Sequence, residues 1–128
     1  MIASPELITE LQPNEVFVFG SNIEGKHYGG AAKIAVEKFG AIMGEGVGLH
    51  GNSYAIPTMG SLDDIKKHID NFMNYAYSRA DLIFLVTRIG CGIAGYTDKE
   101  IARLFLGNPI PYNVRLPQSF INALGGNW

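Results

Sequence analysis

The side chains able to do chemistry in this chain lie in or beside two glycine-rich stretches. The first runs Gly20-Ser21-Asn22-Ile23-Glu24-Gly25-Lys26-His27-Tyr28-Gly29-Gly30-Ala31. In it, Asn22 is able to hydrogen-bond a sugar hydroxyl or orient a water, and Lys26 and His27 are able to meet phosphate charge. His27 is also of the type that passes protons in general acid–base catalysis. The second stretch, Arg88-Ile89-Gly90-Cys91-Gly92-Ile93-Ala94-Gly95-Tyr96, carries a guanidinium suited to clamping a phosphate or pairing with an acid. Cys91 invites a nucleophile reading, because helix N-termini activate thiols. Against that, no histidine is patterned with it, and a small residue is needed between two glycines.

Two motif spacings compete for these loops. Gly20, Gly25 and Lys26 have the spacing of a phosphate-binding P-loop, which would make the protein a Mg²⁺-dependent nucleotide hydrolase working through Gly20–Lys26. His27, however, stands where a serine or threonine should hold the metal. Gly90, Gly92 and Gly95 spell GxGxxG after an apolar run, but no acid follows at the distance a dinucleotide site requires. They remain suited to close approach of a ligand to bare backbone.

Composition narrows the field. The chain has 128 residues with 10 basic and 12 acidic side chains, a net charge of -2, which disfavours a protein that coats nucleic-acid phosphates. A single cysteine excludes an internal disulfide and a thiolate-rich zinc site within one chain, and no metal or cofactor is expected. No apolar run reaches the ~18 residues of a membrane span, and Pro5, Glu6 and Glu10 do not fit a secretion signal. A soluble, cytoplasmic single domain over residues 1–128 is the expectation. Of the 16 glycines, ten lie between Gly20 and Gly60, so something there requires positive φ or bare backbone.

The elements that must hold these loops follow from patterning. Ser4-Pro5 reads as the start of a short helix ending before Pro13. Glu15–Phe19 reads as a buried strand, and Gly29–Phe39 as a helix closed by Gly40. Residues 44–52 read as loop, and Ser53–Ile56 as a strand. Ser61 caps a helix buried through Ile65, Ile69, Phe72 and Ala76. Leu82–Thr87 is a strand apolar enough to be covered on both faces. Thr97 and Glu100 have capping-box spacing, and a last strand (112–116) and helix (117–124) follow. Strands alternating with helices predict an α/β domain with a largely parallel sheet. Each glycine loop then leaves a strand and enters a helix, where such sheets bind ligands.

Four stretches together carry a family resemblance: Val16–Asn22, Gly29–Ala32, Tyr54–Pro57 and Thr87–Tyr96. In this order they resemble a compact bacterial and phage-type macro-like family, similar to the macro domains that bind ADP-ribose. The resemblance covers about residues 15 to 105 and implies a three-layer α/β/α sandwich. It places Asn22 at the distal ribose, with Gly20 and Ser21 before it among the ligand-binding residues, and Gly29, Gly30 and Ala31 along the diphosphate. Gly90, Cys91, Gly92, Ile93 and Ala94 would offer peptide N–H groups to the phosphates, with Arg88 beside them and Tyr96 packed on a ribose or base. The implied function is binding of ADP-ribose or a related diphosphate nucleotide, as a binding module or as a hydrolase in which Asn22 and His27 orient water. The early acid that macro domains use to read adenine has no motif here; Glu10 and Glu15 are the nearest substitutes.

Overall fold

The computed structural model describes residues 2–126 of the chain as a small α/β domain with a mixed five-stranded sheet. In chain order the elements are β1 (Glu15–Ser21), α1 (Gly30–Lys38), β2 (Gly48–His50), β3 (Ser53–Pro57), α2 (Leu62–Ser78), β4 (Ile83–Val86), α3 (Asp98–Ala102), β5 (Val114–Arg115) and α4 (Gln118–Ala123). A 3-10 turn, Arg103–Phe105, continues α3. The sheet order is β2-β3-β1-β4-β5. β3, β4 and β5 join by parallel pairings, as does β1, while β2 pairs antiparallel with β3.

Alternation along β1 splits the core in two. Val16 and Val18 point to one face, where α2 lays down Ile65, Ile69, Phe72 and Ala76, joined by Phe105 and Phe120. Phe17 and Phe19 point to the other, against Ala35 and Phe39 of the α1 region and Ile8. Each such fully buried large side chain is worth ~1.5–3 kcal/mol. Both capping boxes form: Ser61 with Asp64 opens α2, and Thr97 with Glu100 opens α3.

Two expectations are corrected. The N-terminal segment is not helical. Ser4 instead bridges to Pro117, its N–H donates to Leu116 O (2.9 Å) and its hydroxyl to Val86 O (2.7 Å). A tertiary hydrogen bond thus takes the hydroxyl that a helix cap would have used. The 44–52 stretch is not all loop either, because Gly48–His50 forms β2 and turns through Gly51-Asn52 into β3. Gly51 adopts φ +58°, and a two-residue turn opening on glycine is a standard hairpin link. No helix among the described residues is long and apolar enough to cross a membrane.

Candidate functional site

From β1 the chain passes through α1 to β3 on one side, then through α2 back to β4 on the other side of β1. Adjacent parallel strands whose connections depart in opposite directions leave a crevice beyond their C-terminal ends. A cavity of about 710 Å³ opens next to Thr87, which directly follows β4. Its walls are the first turn of α1 (Gly30, Ala31, Ile34), Arg88 with Asp98, residues 4–8, and the 117–122 stretch of α4.

α1 begins without a side-chain cap and has no acid in its first turn, so the positive end of its dipole is uncompensated. A Cβ built on Gly29 or on Gly30 would meet nothing within 4 Å. Opposite, Arg88 donates from Nε to Asp98 Oδ1 (2.9 Å) and from Nη2 to Asp98 Oδ2 (3.0 Å). Two of its five N–H donors are spent, which leaves three. Hydrogen bonding and charge from Arg88 hold the Asp98 carboxyl below its usual range.

The 88–96 loop is partly self-satisfied. Cys91, Gly95 and Tyr96 N–H donate to Arg88, Gly92 and Gly90 carbonyls. Among the described residues, the N–H groups of Gly92, Ile93 and Ala94 have no protein acceptor. Ile93 is almost fully exposed, and nothing lies within 4 Å of a Cβ on Gly92 or Gly95. The Tyr96 hydroxyl donates to Gly60 O (2.7 Å), tying the loop to the approach of α2. Cys91 is half-buried with Sγ 3.7 Å from Asp98 Oδ1. Burial, then the Asp98 charge, pushes its thiol up to about 11, so it stays protonated at neutral pH.

The first glycine loop is built differently. Asn22 accepts from Lys26 N–H (2.8 Å) and donates to Lys26 O (3.1 Å), so its carboxamide closes its own loop. His27 is buried in the core, with Nε2 on Glu45 O (3.0 Å) and its ring edge against Phe19. The Ser21 hydroxyl donates to Gly46 O. Gly25 lies so close to Gly44 and Glu45 that a Cβ there would sit 2.4 Å from backbone, and one on Gly46 would sit 2.1 Å from Asn22 O. Lys26 is paired with Glu24 at 3.0 Å. These glycines serve the close approach of the 22–28 loop to the 42–47 loop. Gly20, 2.8 Å from Thr58 Oγ1 by the same measure, lets the two glycine stretches meet near Gly90.

Comparison of the chain with protein-family models, with curated proteins and with solved structures finds no significant match.

Of the residues singled out by sequence, the structure gathers Gly30, Ala31 and Arg88 in the cleft, while Gly29 is the N-cap of α1 just before Gly30. Gly20, Ser21, Asn22 and His27 do not line it, nor do Gly90–Ala94 and Tyr96. Glu10 and Glu15 are absent from its walls, and the Glu15 carboxylate instead accepts from Gln12 N–H. Sequence reasoning missed the 4–8 segment, Asp98 as the partner of Arg88, and Gln118, Ser119 and Asn122. Long-range packing puts all of these in place. Only Asp98 left a trace, as an acid at the start of a capped helix ten residues after an arginine.

Proposed function

We propose that this protein binds ADP-ribose or a related diphosphate nucleotide in the cleft between α1 and α4, as a macro-like three-layer domain acting as a binding module. The observation that carries the reading is the pairing of an uncapped, acid-free start of α1 at Gly29-Gly30 with the spare donors of Arg88 across one cavity. Amides at a helix start and a guanidinium are the groups that hold phosphate. The free N–H groups of Gly92, Ile93 and Ala94 extend the donor surface of the neighbouring loop.

Binding is favoured over turnover because the groups named for water activation are withheld from the cleft. Asn22 is held by hydrogen bonds within its loop, and His27 by burial, with Nε2 on Glu45 O and Nδ1 buried without a protein partner among the described residues. The P-loop alternative is weakened by the same packing. Its Lys26 is paired with Glu24, and α1 begins at Gly30 rather than after Lys26.

Thermal unfolding tests the reading. ADP-ribose at 100 times its Kd should add about 2.7 kcal/mol of stability, a rise of roughly 10 °C in a domain of this size, unaffected by chelator. No shift with ADP-ribose, or a shift only with Mg-ATP, would overturn it. Incubation with ADP-ribosylated protein and ADP-ribose 1″-phosphate should leave both unchanged.

A further inference from the structure

A second groove, of about 420 Å³, lies where α2 ends and the chain approaches β5, and it shares no residue with the cleft. Tyr77 and Ala80 line it from the α2 side, and Pro109-Ile110-Pro111-Tyr112 from the segment before β5. Tyr77 and Tyr112 are 81% and 82% exposed, and neither has a hydrogen-bond partner among the described residues. The two sides are tied together by the buried Asn113, whose Nδ2 donates to Ala76 O (2.9 Å), Arg79 O (2.9 Å) and Leu82 O (3.1 Å). Pro109 and Pro111 fix φ at two further positions. The groove is thus pre-formed, and filling it costs little ordering.

Two features select the occupant. No residue lining the groove is charged, and Arg79, beside Ala80, pairs through Nε and Nη2 with both carboxylate oxygens of Asp81 (3.0 and 2.9 Å). A two-fold axis sets a surface against its own image, where an unpaired charge would meet a like charge; this lining offers none. The groove also carries both halves of one fit, because exposed aromatic rings are the surface on which stiff proline segments dock. We propose that the groove is a docking face for a second copy of this chain, with Pro109-Ile110-Pro111 of each copy packed on Tyr77 and Tyr112 of the other. Seven lining residues a side, against roughly 20–30 in a standard interface, make this a weak pair, with a Kd on the order of 0.1 mM.

Sedimentation velocity on the full chain, from about 10 µM to about 1 mM, brackets that constant. The weight-average mass should climb from the monomer value towards twice that value. Tyr77→Glu and Tyr112→Glu each set like charges against one another in the pair and should weaken it at least tenfold. Both side chains are exposed, so the variants should keep the thermal midpoint of the parent. Ile23→Ser, at an exposed apolar residue outside the groove, should leave association unchanged. A chain that stays monomeric throughout would overturn the proposal, including one that instead binds a ten-residue polyproline peptide through these tyrosines. A dimer indifferent to both glutamates, or one dissociated by Ile23→Ser, would assign the contact to another face and overturn it equally.

Discussion

Asp98 accepts from the Arg88 guanidinium on both carboxylate oxygens and occupies the first position of α3, so a cation and a helix dipole act on one carboxylate. Its folded-state pKa therefore lies below the ordinary value of 3.8. A depressed carboxylate contributes stability that is complete above its unfolded pKa and is lost as pH falls through the folded one. Because Arg88 is mostly solvent-exposed, the contribution is small, about 0.5–1 kcal/mol. Asp98→Asn should lower the urea-unfolding free energy by that amount at pH 7, and the difference should shrink as pH falls from the ordinary carboxylate range through the lower folded-state pKa of Asp98. The residue scale is also where sequence reading was weakest. Asn22 and His27 have the right types for catalysis, but local hydrogen bonds and burial, which no spacing reveals, have committed both.

Among the elements, the helices with capping boxes were legible because their signals are local. Ser61 with Asp64 and Thr97 with Glu100 satisfy each other within one turn. Ser4-Pro5 looked equally local and failed, since its hydroxyl is claimed by Val86, 82 residues away. The glycine count was legible only as a need, not as a cause. At Gly25 and Gly46 the need is one loop lying on another, whereas at Gly29 and Gly92 the backbone is open. Gly29 separates these two uses cleanly. It is the N-cap of α1 at φ -154°, ψ 170°, extended geometry that any residue adopts, and nothing stands near its Cβ direction. Gly29→Asp would supply the missing cap and oppose the helix dipole, so stability should rise by about 0.5–1 kcal/mol. The same carboxylate would sit where a phosphate is held, so ADP-ribose affinity should fall at least tenfold. A more stable variant with unchanged affinity, read by calorimetry and titration on one sample, would move the phosphate site away from α1.

Over the whole molecule, one face of the sheet is closed by α2, the α3 region and α4, whereas the other is covered by a single helix, α1, together with irregular chain: the residues before β1, Ala41 and the buried His27. Ile8 and Leu11 pack there against the cluster of Phe17 and Phe19, doing in extended chain what a helix would otherwise do. The cleft is the gap between this thin cover, α1 and α4, so its shape depends on how firmly residues 4–8 are tied down. Ser4 is the tie, buried and bonded to Val86 through its hydroxyl and to Leu116 through its N–H. Ser4→Ala removes the hydroxyl bond and leaves Val86 O short of its partner, which should cost about 1–2 kcal/mol. Were the segment mere covering, that loss would appear in stability alone. As a wall of the cleft, it should also show faster hydrogen exchange at the Ser4 amide and a several-fold weaker affinity for ADP-ribose, under conditions where the variant is fully folded. Affinity unchanged despite faster exchange would mean that the ligand does not touch residues 5–8.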